Sequence, residues 1–220
     1  MQRILMTAII AVIAISLSAE FYRTQDHGKT TDEQRDYFAS VDYFSNAENR
    51  NFIARHDARW SEIARIWGRG EDAIIRDIET GRTFELRRTF GTNHADVEPL
   101  TKEDAQIMYE IWGGWSWARR AVLVYVEGYV FAGSLTNFPH AGLDRYPALK
   151  RINARSGGFG TGLNFDAVKG NGVDGHMCLH FAGSALHSNG RASANHQRMV
   201  QVAIAYLQNS DRYLRDIAAN

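Results

Sequence analysis

One stretch of seven residues concentrates the reactive side chains of this chain: Gly175-His176-Met177-Cys178-Leu179-His180-Phe181. Read as a strand, alternation places His176, Cys178 and His180 on one face and the apolar Met177, Leu179 and Phe181 on the other. The apolar face is suited to a core, which leaves the first face to point into a cleft. A thiol between two imidazoles has a direct chemical use. A neighbouring histidine can take the thiol proton and stabilise the thiolate below its free pKa of about 8.5, giving a nucleophile for attack on a carbonyl.

Other candidates sit near glycine and proline, at positions read as loops set on strand ends. His94, Asp96 and Glu98 fall in Asn93-His94-Ala95-Asp96-Val97-Glu98-Pro99, His140 in Pro139-His140-Ala141-Gly142, and Ser184 and His187 follow the strand. In an acyl-transfer reading, Cys178 attacks an amide and His176 or His140 serves as base and then acid, with His180 on the same face. Asp96 or Glu98 orients a histidine, and backbone amides of residues 156 to 175 form an oxyanion hole. Arg119 and Arg120 are suited to a substrate carboxylate, and Trp117, close to Trp112 and Trp115, to stacking on a sugar face. Ser184 lacks the G-x-S-x-G context of a serine nucleophile. This reading needs no cofactor. The alternative is a Zn²⁺ site built from His176, Cys178 and His180 with His94, Asp96, His140 or His187, without an H-E-x-x-H helix. His27, His56 and His196 read as ordinary residues of helical or frayed surroundings.

The elements that must position these groups are legible in outline. Thr31 to Gln34 is a capping box that starts a helix to about Ser45, and a second helix is expected from Asn51 to Trp67, stopped by Gly68. Residues 73–78 and 83–88 flank a turn with Gly81, and residues 121–126 and 129–134 flank Glu127-Gly128, giving two hairpins. Thr101 caps a helix to about Ile111, and a last amphipathic helix begins near Ser193. The sum is an α+β fold, a mostly antiparallel sheet with flanking helices.

Composition narrows the function classes. The chain has 220 residues, 45% hydrophobic, with 25 basic and 25 acidic side chains and one cysteine. That length can bury a real core, a lone thiol excludes an internal disulfide framework, and the balanced charge argues against a nucleic-acid binder. Residues 1–19 read as a secretory signal peptide, with Arg3, an apolar run from Ile4 to Ile15 and small residues to Ala19. A helical segment over 20–68 and an α+β catalytic domain over 69–220 follow, with no later span long enough for a bilayer. The expected location is the periplasm or outside the cell.

The Gly175 to His180 segment resembles the S-H-G-C-I-R signature of YkuD-type L,D-transpeptidases, with His140 corresponding to that pattern's upstream histidine. The resemblance implies a YkuD-like fold, peptidoglycan as partner, and cysteine-dependent transpeptidase or carboxypeptidase chemistry on stem peptides. Gly91 to Pro99, Trp115 to Arg120, Pro139-His140, Gly175 to Phe181 with Ser184 and His187, and His196-Gln197 also resemble a group of exported bacterial proteins often joined to peptidoglycan-binding modules. Together these features imply an exported wall-modifying enzyme. A zinc-dependent peptidoglycan hydrolase and a non-catalytic wall-binding protein are the alternatives.

Overall fold

The structure, a computed structural model, describes residues 52–218. The expected signal peptide and the helix from Thr31 to Ser45 lie outside the described residues. Within them the fold is α+β, a mostly antiparallel sheet that closes on itself, with three helices. In chain order the sheet comprises β1 (Ile53–Ala54), β2 (Asp72–Asp77), β3 (Thr83–Phe90), β4 (Ala95–Pro99), β5 (Arg120–Val126), β6 (Tyr129–Leu135) and β9 (Met177–His180). Strand order is β1-β6-β5-β2-β3-β4-β9, and β9 returns to pair with β6, so six strands form a closed ring to which β1 adds in parallel. Closure removes the free sheet edge that an open sheet would leave at β9.

Both expected hairpins form. β2 and β3 turn through Gly81 at φ 73°, and β5 and β6 turn through Glu127 and Gly128 at φ 50° and 73°, the left-handed pair that a tight hairpin requires. α2 (Lys102–Trp112) starts at a capping box between Thr101 and Asp104 and stops at Gly113 in the left-handed conformation. Two expectations are corrected. The helix anticipated over 51–67 is confined to α1 (Trp60–Ile66), because Ile53 and Ala54 pair with β6 and Phe52 packs edge-on against Tyr125. Residues 95–99, read as loop, form β4: Ala95 and Val97 alternate inward with Asp96 and Glu98 outward, a period of two that acidic residues disguise.

Alternation sorts every strand of the ring. Val122, Val124, Phe131, Ala95, Val97, Met177 and Leu179 point into the main core, joined by Trp60, Ile63 and Trp67 of α1 and by Ala105, Met108 and Ile111 of α2. Full burial of side chains such as Trp67, Phe131 and Phe181 contributes about 1.5–3 kcal/mol each. On the outside, Leu123, Tyr125, Val130 and Ala132 pack beneath Ala203 and Leu207 of α3 (Ala194–Ala218). The glycine-rich stretch after β6 holds a two-stranded arm, β7 (Arg151–Arg155) and β8 (Gly160–Leu163). No helix among the described residues is long and apolar enough to cross a membrane.

Candidate metal centre

The outward face of β4 and β9 carries the site. Asp96 and Cys178 are register partners across that pair, while Ser134 of β6 faces His180 on the other side of β9. Since Met177 and Leu179 are in the core, His176, Cys178 and His180 share the outer face, as the alternation required. Loops bring the remaining imidazoles over it: His94 precedes β4, His140 and His187 lie in flanking loops, and His196 sits in the first turns of α3. Six of the chain's eight histidines therefore converge on one seam.

Two glycines make the convergence possible. Gly91 at φ 86° turns the chain into β4, and a Cβ there would collide with the carbonyl of His94 and the amide of Asp96. Gly175 at φ 97° lies against the His140 carbonyl, where a Cβ would collide as well. That close approach lets His140 and His176 exchange backbone hydrogen bonds of 3.0 and 3.1 Å, so their rings sit 4.3 Å apart.

Hydrogen bonds to the backbone set the tautomers. His94 Nδ1 is 2.8 Å from the Ala185 carbonyl, His176 Nδ1 is 3.1 Å from that of Phe165, and His140 Nδ1 is 3.0 Å from that of Phe138. A carbonyl oxygen only accepts, so each Nδ1 carries the proton and each neutral ring turns an Nε2 lone pair elsewhere. Burial pushes His94 and His140 down to about 4 and lowers His176 too, so all three rings are neutral near pH 7.

Two of those lone pairs, of His94 and His176, meet another acceptor. His94 Nε2 lies 3.4 Å from Asp96 Oδ1 without a hydrogen-bond partner, and His176 Nε2 lies 3.7 Å from Oδ2. Burial acts to raise the Asp96 carboxyl, but the His187 hydrogen bond and the surrounding imidazoles outweigh it and hold the group below its ordinary value. His187 Nε2 is 3.2 Å from Oδ1, and this bond raises the His187 pKa. His94, Asp96 and His187 offer three ligand atoms within 4.8 Å of one another. Two imidazoles and a carboxylate, the His94 ring tied to the protein through its other nitrogen, form a donor set suited to Zn²⁺.

Cys178 belongs to the same face in a different state from the expected one. Burial, and then the Asp96 charge, push its pKa well up, so it is a thiol at neutral pH. Its Sγ lies 3.7 Å from His140 Nε2, at the reach of a weak S–H donation. His180 is fully buried, its ring stacked 4.1 Å from His94 and 3.8 Å from His196, and neither of its nitrogens has a hydrogen-bond partner. Burial lowers His180, and brings His196, whose Nδ1 is 2.9 Å from Ser134 Oγ, down to about 3. His196, read from sequence as an ordinary helical residue, is thus part of the cluster; its polar neighbours Asn195 and Gln197 gave no sign of burial.

The other expected site residues divide. Trp117 is 41% exposed and stacks on Phe138 with its ring 4.8 Å from that of His140, forming a wall of the cleft with the exposed Phe159. Arg119 acts electrostatically on Cys178, His180 and His196. Arg120 is bound to Asp77 at 2.7 and 2.8 Å and to Glu79 at 2.9 Å. Glu98 is fully buried and accepts from the amides of Ala167 and Val168, clamping that loop to β4. Ser184 Oγ accepts from the Phe181 amide and closes the turn after β9. Comparison of the chain with known protein families, curated proteins and solved structures gives no match.

Proposed function

We propose that this protein is an exported, zinc-dependent hydrolase of peptidoglycan, cutting an amide bond of the stem peptides. The observation that carries the metal is the meeting of acceptors: the His94 Nε2 lone pair faces Asp96 Oδ1 at 3.4 Å, an arrangement that a shared cation stabilises and that two acceptors alone do not. The wall as substrate and export as setting rest on the sequence resemblances and on the apolar segment at residues 4–15.

His94, Asp96 and His187 would hold the ion. Zn²⁺ so held supplies a Lewis acid and brings the pKa of a bound water to about 7. The neutral rings of His176 and His140 are placed to take the proton released as water oxygen bonds to the amide carbon. The same proton then passes to the leaving nitrogen as the C–N bond breaks, leaving a carboxylic acid and an amine. Trp117 and Phe159 exclude water from one side of the cleft and offer flat apolar surface to the substrate.

A second reading keeps Cys178 as the nucleophile of a YkuD-like acyl transfer, favoured by the 3.7 Å approach of His140 Nε2. Digestion of purified peptidoglycan, read by chromatography of the released fragments, separates the two. Hydrolysis lost on chelation, restored by Zn²⁺ and retained in Cys178→Ser supports the metal reading. Activity indifferent to chelation and abolished in Cys178→Ser overturns it in favour of the thiol.

A further inference from the structure

The arginines that the fold withdraws from solvent are, with one exception among the described residues, committed to partners. Arg55 bonds Glu62, Arg82 bonds Glu110, Arg87 bonds Asp72, Arg88 bonds the carbonyls of Ala64 and Trp67, Arg120 bonds Asp77 and Glu79, and Arg155 bonds three carbonyls of its own arm. Arg76 bonds the Gly81 carbonyl. Arg119 makes no such bond; its Nε, like that of Arg88, is buried without an acceptor, but unlike Arg88 it has no other nitrogen bonded to the protein. A guanidinium carries five N–H donors and its charge at any working pH, so a buried edge with no acceptor is costly unless a ligand supplies one.

The surroundings define that ligand. Arg119 lines a hollow of about 390 Å³ together with Trp112, Ala118, Met199 and Val202. The acidic groups at its rim, Asp77 and Glu79, are already bound to Arg120. Arg119 lies two residues before Ala121, which also lines the hollow and pairs with Ser134; Ser134 in turn faces His180 and has its Oγ 2.9 Å from His196 Nδ1, so the hollow adjoins the imidazole cluster. His180, fully buried in that cluster and outside the lining of the hollow, is a further donor without a partner: a neutral imidazole always carries one N–H, and neither of its nitrogens is bonded. An uncommitted guanidinium edge on a largely apolar hollow matches a planar two-oxygen anion.

We propose that Arg119 anchors a carboxylate-binding subsite beside the candidate metal centre, so that the substrate carries a free carboxylate close to the bond that is cut. This deepens the hydrolase reading and rests on it for the cut bond, while the carboxylate contact itself is independent of turnover. The carboxylate is either the C-terminus of the peptide or a side chain within it. A terminal carboxylate makes the enzyme remove end residues; a side-chain carboxylate lets it cut within the stem.

The test is binding by calorimetry to the chelated protein, so that no ion competes for the anion. Three probes are used: N-acetyl-L-alanyl-D-alanine, its C-terminal amide, and N-acetyl-D-glutamyl-L-alaninamide. At least one of the two acids is expected to bind about tenfold more tightly than the neutral amide. Arg119→Gln erases that preference and Arg119→Lys keeps part of it. The acid that is preferred identifies the source of the carboxylate. Equal affinity for all three probes, no binding by any of them, or a preference untouched in Arg119→Gln overturns the proposal. The zinc-loaded protein then separates this from the hydrolase reading: a raised KM with kcat retained in Arg119→Gln is expected. Arg119-dependent binding with no hydrolysis by the wild type condemns the hydrolase reading alone.

Discussion

Asp96 and Cys178 stand opposite each other across the β4–β9 pair, so a buried carboxylate and the chain's single thiol share one outward face. Burial and the Asp96 charge together favour the protonated thiol. A thiolate is the reactive form, and the Arg119 charge, which acts in its favour, is outweighed by burial and Asp96. The expected outcome is that iodoacetamide alkylates Cys178 at neutral pH far more slowly than it alkylates free cysteine, with a rate still rising above pH 9. A plateau below about pH 8 would identify a stabilised thiolate and return Cys178 to the centre of the mechanism.

Gly175 sets the distance between His140 and His176, because its left-handed backbone lies against the His140 carbonyl. In Gly175→Ala the new methyl collides with backbone that cannot yield as a flexible side chain would. We expect a loss of about 1–3 kcal/mol in urea unfolding. Hydrolysis should fall by more than the unfolded fraction explains, since the two imidazoles separate. Unchanged stability and activity would show that the His140–His176 bridge does not organise the site.

Glu98 makes stability depend on pH in a direction opposite to most carboxylates. Burial first, and the nearby Asp166 charge, raise it to about 7, against the bonds from the Val168 and Ala167 amides and from Thr89, which lower it. Arg87 also faces it from β3. The folded state therefore holds this proton more tightly than the unfolded chain. The resulting stabilisation is fully present below about pH 4.5 and is lost as pH rises through about 7, an effect on the order of 3 kcal/mol. In Glu98→Gln, whose amide oxygen can still accept from both backbone N–H groups, urea stability between pH 5 and 8, measured with chelator present, should decline less than in the wild type. Parallel profiles would contradict this account.

Much of the scaffold was legible because its signals are local. The Gly81 and Glu127-Gly128 turns, the Thr101 cap and the alternation from Met177 to Phe181 each report on a few neighbouring residues, and each recurs in the structure. What escaped depends on distant pairing. β4 was hidden because aspartate and glutamate occupy its outer face, where the site needs a carboxylate more than the strand needs propensity. The closure of β9 onto β6 and the short β1 are fixed by partners far away in the chain. His196 could not be told from a surface residue until α3 was laid beside Ser134 and His180. The Nδ1 bonds that set the tautomers of His94, His140 and His176 are made to backbone carbonyls, those of His94 and His176 in other loops and that of His140 in its own, a feature with no side-chain signature.

Whether Asp96 gathers its imidazoles around a cation is open to direct measurement. Zinc titration of the chelated protein, by calorimetry with elemental analysis of the loaded product, tests it most directly. Saturable, stoichiometric binding is expected, weakened by at least about 100-fold in both Asp96→Ala and His187→Ala. The Thr101→Ala variant, which removes only a helix cap remote from the imidazoles, should cost about 1 kcal/mol of stability and leave zinc affinity unchanged. Absence of saturable binding to the folded wild type, or binding indifferent to both site substitutions, would contradict it.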